Sequence, residues 1–303
     1  MTTTTVTTDR LIEDPAEVSQ EYQQVLAETM LIAADLELST LPWAYEVFAS
    51  CPDLGAKIAT AAAIQDEMGH AHQMYMMLRD FGYRTEDTIF NRDPGSFRIF
   101  YMLQFPLRNY IELVVGQALL DRAGRVTTLD LEENCSYAPY RRALRKVNFE
   151  ERFHVAHGER WTKYYWDLSE ATREKVREYI KWLFPHGMSW FGVTDDRKKR
   201  SGQLTFRIRG RSNDEMRQVW LRELLEWANS AGIDIPAHYD SASGNVVADV
   251  SFPATCDPER RVWNEGSATW EETLAQWKQG APGYRKCIER LQSEEWGESL
   301  WQS

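Results

Sequence analysis

Glu67 and His70 stand three residues apart in "AAAIQDEMGHAHQMY", and Glu151 and His154 repeat that spacing in "NFEERFHVAHGERW". Residues three apart on a helix share a face. Six histidines among 303 residues make a Glu-x-x-His pair about a one-in-fifty accident per glutamate, so one pair alone carries little. Their partners carry more. Glu37, in "AADLELST", precedes Glu67 by 30 residues, and Asp121, in "VVGQALLDRAG", precedes Glu151 by 30. Two antiparallel helical hairpins would fold each acid onto its Glu-x-x-His pair. Packed as a four-helix bundle, they would aim four carboxylates and two imidazoles inward. This is the ligand set of di-iron carboxylate bundles.

Four carboxylates in a core cannot all stay ionised without positive charge. Two divalent ions bring about +4 against the carboxylates' −4, with both histidines neutral. Oxygen-rich sites that include imidazole suit iron or manganese. Asp66 and Glu150 directly precede the two motif glutamates. Each is expected to accept the N–H of the histidine on the facing helix, turning the other ring nitrogen to the metal. His72 and His157 fall off the ligand phase. Asp35 is a rival to Glu37, roughly 200° around the same helix. Glu112 precedes Asp121 by nine residues, more than two turns away.

These residues need helices to carry them. The pattern predicts a long helix over 17–48, bent near Pro42. It predicts a second helix capped by Asp53, running to Phe81 and stopped by Gly82. A third is expected over 99–127, a fourth over 138–167, and one or two more up to Trp190. A charged loop, "TDDRKKRSGQ", follows; its run from Arg197 to Arg200 reads as a solvated loop rather than a phosphate site. A helix then starts at Ser212, followed by a loop with a short hairpin and an amphipathic helix from "ATWEETLAQW". The expected fold is all-α: a polar, disordered tail at 1–15, a four-helix bundle with additional helices at 16–195, and an α-rich C-terminal extension at 196–303.

Composition allows a sizeable core, with 43% hydrophobic residues, and the net charge of −11 argues against nucleic-acid or membrane partners. Cys51, Cys135, Cys256 and Cys287 form no CxxC pair, which points to a reducing cytoplasm. "MTTTTVTTDR" lacks the apolar region of a secretory signal, and no run approaches the roughly 18 apolar residues of a membrane helix. Met74, Met76 and Met77 read as packing.

The stretches "QDEMGHAHQMY", "SYAPYRRALRKVNFEERFHVAHG", "FGVTDD", "SNDEMRQ" and "RRVWNEGSATWEE" resemble the catalytic A components of the bacterial phenylacetyl-CoA epoxidase family. More distantly, they resemble the oxygenase of aerobic benzoyl-CoA epoxidases. The resemblance implies a ferritin-like fold and matches Glu37, Glu67, His70, Asp121, Glu151 and His154 to that family's ligands for two iron ions. It implies insertion of one atom of O2 into the ring of an aromatic acyl-CoA as an epoxide, a di-iron monooxygenase reaction. Electrons would come from a separate NAD(P)H-dependent flavin and iron–sulfur reductase. The expected partner is a related helical subunit without a working metal site, or a second copy. Two segments, "LPWAYEVFASCPDLG" and "NRDPGSFRIFYMLQFPLRNYIELVV", depart from the family pattern. They flank the expected site, where they would line a pocket. The alternative reading is a paralogue that oxidises a non-CoA molecule. A non-catalytic scaffold would have no need of six intact ligands, and the C-terminal extension disfavours an iron-storing ferroxidase.

Overall fold

Ser19 opens the first long helix, α1 (Gln20–Val47), its hydroxyl accepting from the Tyr22 N–H at 3.2 Å. The computed structural model describes residues 11–198, 201–281, 288–289 and 292–293. Pro42 lies inside α1 without ending it, although it has no N–H to give the preceding turn. Asp53 caps α2 (Leu54–Met77) by accepting from the Ala56 N–H at 2.7 Å. A 3₁₀ turn then carries the chain to Gly82, where φ of 84° suits glycine.

The third helix departs from expectation. Residues 99–109, which follow a short α3 (Thr85–Ile89), do not join it and hold only a 3₁₀ turn at Tyr101–Gln104. Pro106 disfavours helix in the residue before it, and Asn109 caps the start, its side chain accepting from the N–H groups of Ile111 and Glu112. The helix proper is α4 (Tyr110–Gly116), a π-helical segment (Gln117–Asp121) and α5 (Arg122–Asn134). It therefore starts and ends later than 99–127. Next come α6 (Ala138–Leu168) and α7 (Glu170–Trp190), the latter capped by Ser169.

α1 packs along α2, α6 packs along α4 and α5, and α2 meets α6. These pairs form an all-α, ferritin-like bundle. Leu26, Met30, Ala34 and Leu38 of α1 interlock with Ala71, Met74 and Tyr75 of α2 in one core cluster. A second cluster joins α4 to α7 and reaches Trp220, Leu221 and Leu224. Those three belong to α9 (Asn213–Ala231), which follows the one-turn α8 (Gly202–Thr205). Ser212 and Glu215 close a capping box at its start. Two small antiparallel hairpins follow, β1 (Ala237–Asp240) with β2 (Asn245–Ala248) and β3 (Cys256–Asp257) with β4 (Val262–Trp263), then α10 (Trp270–Gln279). The residues after 195 thus share a core with the bundle through Trp220, whose indole N–H donates to the Leu119 carbonyl at 2.8 Å.

The polar tail needs correction at its end. Residues 1–10 lie outside the described residues, but Ile12 is buried. Its N–H donates to Ser136 O and its carbonyl accepts from Ala138 N–H, both at 2.8 Å. An apolar side chain and two backbone bonds hold this segment to the start of α6. Cys51, Cys135 and Cys256 are free and buried; Cys287 lies outside the described residues. Among the described residues, no helix is long and apolar enough to cross a membrane.

Candidate metal centre

Four helical strands converge on one acid-rich point. Glu37 comes from α1, Glu67 and His70 from α2, Glu151 and His154 from α6, and Asp121 closes the π segment. Glu37, Glu67, His70 and Glu151 each offer a ligand atom within 4.8 Å of the others. His70 Nδ1 lies 3.6 Å from Glu37 Oε2 and 3.5 Å from Glu151 Oε1. His154 Nδ1 lies 3.3 Å from Glu67 Oε1 and 3.4 Å from Glu151 Oε1. Asp121 lines the same cavity as Glu37, Glu67 and Glu151. All six residues singled out by spacing are thereby brought together.

The far sides of both imidazoles are occupied. His70 Nε2 sits 3.0 Å from Glu150 Oε2, and His154 Nε2 sits 3.2 Å from Asp66 Oδ2. Each acid comes from the helix opposite its histidine. With each Nε2–H donated to a carboxylate, each Nδ1 carries a lone pair into the cluster. Lys146 holds Glu150 in turn, at 2.7 Å.

Electrostatics shows what this arrangement lacks. Burial, then the charges of Glu67 and Glu151, hold the Glu37 carboxyl well above the usual range. Burial, Glu151 and Glu67 do the same to Asp121, and burial and Glu67 raise Glu151. Against burial, a hydrogen bond from Glu37 keeps Glu67 down at about 2. Burial opposes charge on His154, yet Glu151 and Glu67 beside it raise its affinity for a proton. The cluster draws in protons to balance its anions. Glu67 Oε2, His70 Nδ1 and His154 Nδ1 are buried without a hydrogen-bond partner among the described residues. Orphaned lone pairs on oxygen and imidazole, in a pocket short of positive charge, fit a pair of divalent transition-metal ions.

The rivals have other work. Asp35 accepts from Tyr75 Oη, the Arg92 guanidinium and the Arg98 N–H. Glu112 accepts from Arg108 N–H at 2.6 Å and pairs with Arg261 at 3.2 Å. His72 is exposed on the outer side of α2. His157 is partly buried and bonded to Gln117 and Tyr110; burial, His154 and Arg160 hold it down at about 4.

Several residues at the site were not legible in the sequence. The π segment is one. Gly158 lets it approach α6: a Cβ there would stand 2.4 Å from Ala118 N and 2.7 Å from the Gln117 side chain. π-Helical turns often mark functional positions, and this one delivers Gln117 and Asp121 to the cavity. That cavity, about 180 Å³, is walled by Ile32, Leu36, Trp43, Leu103, Leu113 and Trp190. Trp43 and Ala44 come from residues 41–55, and Leu103 and Leu113 from residues 91–115, the two segments expected to line a pocket. Six residues, among them Leu36, Trp190 and Arg209, also line an outer cavity of about 820 Å³. Arg98, Arg197 and Lys198 surround that mouth. Arg197, which also pairs with Glu271, and Lys198 line the mouth, so half of the basic run read as a solvated loop borders a cavity instead; Lys199 and Arg200 lie outside the described residues. Arg209, 6% exposed, stands at the junction, with one nitrogen on Asn213 and Nε without a partner among the described residues.

A ferritin-like bundle with a buried carboxylate–histidine cluster defines the class. Within it, the family model described as "Phenylacetic acid catabolic protein" matches residues 1–251, and the chain belongs to that family. It is similar to the A component of the 1,2-phenylacetyl-CoA epoxidase of Escherichia coli (strain K12), with 27% identity over 243 residues covering 74% of this chain and 78% of that relative.

Proposed function

We propose that this chain is the metal-holding oxygenase subunit of a di-iron monooxygenase that inserts one atom of O2 into an aromatic acyl-CoA, forming a ring epoxide. Glu37, Glu67, His70, Asp121, Glu151 and His154 would hold two iron ions, and Asp66 and Glu150 would orient the two imidazoles. The observation that carries the reading is the cluster's position on the wall of an apolar cavity that opens onto a basic mouth. When bound, the iron pair supplies O2 activation by electrons from a separate NAD(P)H-dependent flavin and iron–sulfur reductase.

The chain's own residues do the rest. Trp43, Leu103 and Leu113 hold an aromatic ring against the cluster and exclude water. Arg209 takes the polar group where the ring's side arm leaves the cavity. Arg98, Arg197 and Lys198 supply positive charge for a phosphate-bearing arm outside. One observation favours a second reading: the buried cation at the junction, Arg209, fits a free carboxylate as well as a thioester carbonyl, so a non-CoA aromatic acid is the rival substrate. A related helical subunit or a second copy would dock on the protein; the family relative is itself named as one component of its enzyme. The cytoplasm is the compartment that suits three free thiols.

The test loads the protein with Fe(II) without oxygen and counts metal per chain. It then offers aromatic acyl-CoA thioesters and the matching free acids with a reductase and ¹⁸O₂. Thioester products carrying one labelled atom support the proposal. Labelled free acid alone supports the rival. Bound iron with no labelled product, or no bound iron, overturns both.

A further inference from the structure

His157 sits one helical turn beyond His154, roughly 4.5 Å along the axis of α6. It serves no ligand role in the centre, yet its hydrogen bonds run from the cavity wall outward. Its Nδ1 lies 2.8 Å from Gln117 Oε1, so Nδ1 donates there and the ring's lone pair sits on Nε2. Tyr110 Oη lies 3.0 Å from that Nε2 and donates to it. Tyr110 is 2% exposed. Burial holds its phenol well above the usual range, so it gives up its proton only to a base in contact with it.

Beyond Tyr110 the rings continue. Trp161 lies 5.6 Å from Tyr110, centroid to centroid, and Tyr164 lies 5.3 Å from Trp161. Tyr165 packs against Trp161 and Tyr164. Tyr164 is 49% exposed. A buried phenol on a neutral imidazole, followed by an indole and a phenol that reaches water, is a chain of oxidisable side chains at contact distance.

We propose that Tyr110, His157, Trp161 and Tyr164 form a proton-coupled relay that carries an oxidising equivalent from the metal centre to the surface when no organic substrate takes it. This rests on the reading of the cluster as a redox-active metal pair. Tyr110 would give up one electron to the centre when that holds an oxidised metal pair. Its phenolic proton passes to His157 Nε2, leaving a neutral tyrosyl radical and an imidazolium. Trp161 then returns an electron to Tyr110 as the proton returns from His157. Tyr164 re-reduces Trp161, losing its own proton to water. A one-electron donor in solution, such as a thiolate or ascorbate, reduces Tyr164, which recovers a proton from water. The net transfer is one electron from donor to metal pair, and every side chain is restored.

Two experiments separate this relay from the metal reading. In the first, protein with its iron counted is mixed with O2 without organic substrate, freeze-quenched and examined by electron paramagnetic resonance. A tyrosyl signal that is absent in Tyr110→Phe supports the relay, and in His157→Gln it should fall about tenfold with loss of the base. Iron bound and oxidised with no protein radical overturns the relay while leaving the metal reading intact. In the second, metal-free full-length protein is oxidised by flashes with a ruthenium polypyridyl sensitiser and a sacrificial acceptor. The radical should be shared between Tyr110 and Tyr164 in the parent, as a connected relay requires, and be confined to Trp161 or Tyr164 in Tyr110→Phe. The same radical distribution in both proteins overturns the relay, whatever the metal content. Circular dichroism on both variants checks that they are folded.

Discussion

The molecule buries histidine in two contrasting ways. At the acid-rich centre, His70 and His154 each anchor one nitrogen on a carboxylate and turn the other, without a hydrogen-bond partner among the described residues, toward more carboxylates. In α7, His186 has neither nitrogen partnered among the described residues. It lies among aromatic rings, 4.6 Å from Trp182 and 4.6 Å from Trp263, with Phe100, Tyr101 and Phe105 around it. Burial, then the charge of Arg261, pushes it down to about 3. An orphaned nitrogen alone therefore says little. Beside anions it is a lone pair waiting for a cation; inside an aromatic cage it is part of a neutral core.

The sharpest way to break this contrast is Glu151→Ala, which removes the carboxylate that lies against both imidazoles, 3.5 Å from His70 Nδ1 and 3.4 Å from His154 Nδ1. Iron per chain, counted after anaerobic loading, should fall from about two to below one; full retention would end the assignment. Glu150→Ala acts one step further out, and iron affinity by titration should weaken about 10- to 100-fold. The cage is tested by pH. Between about 6.5 and about 3 the unfolded chain binds a proton at residue 186 that the folded chain refuses. That stability is present above 6.5 and falls as the solution is acidified, by up to ~1.4 kcal/mol per pH unit. In His186→Phe, the loss of stability between pH 7 and pH 5, measured by urea unfolding, should be about 2 kcal/mol smaller than in the parent. His72→Ala should be the quiet control, with iron count and affinity unchanged within about twofold. A His72 effect as large as that of Glu150 would mean the ligand phase on α2 is misread.

Much of the centre was legible because metal chemistry imposes spacing. Two Glu-x-x-His pairs with acids 30 residues upstream leave few arrangements, and Asp53, Gly82 and Ser212 mark helix ends by local hydrogen bonding and φ alone. The late start of α4 was readable in principle from Pro106 and Asn109, but the apolar run around them dominates any periodicity. The π segment left no such trace. It depends on how closely Gly158 admits Gln117, a tertiary fact. Arg209 sits in a stretch that looks like ordinary basic loop, and only the folding of Arg209 against Trp190 and Leu36 around one junction gives it meaning. Ile12 is similar: one apolar residue beside a polar tail gains its place from a backbone pairing 124 residues on.

The line from His70 through Glu150 ends on Lys146, whose side chain is 60% exposed. Ionic strength, or any charged surface brought against that ammonium, is thereby felt by an imidazole deep inside the protein, with no shape change needed. The other imidazole leans on Asp66 instead. The two halves of a nearly symmetric interior thus meet the surface differently, one through an acid tied to a lysine and the other through an acid that is itself partly exposed.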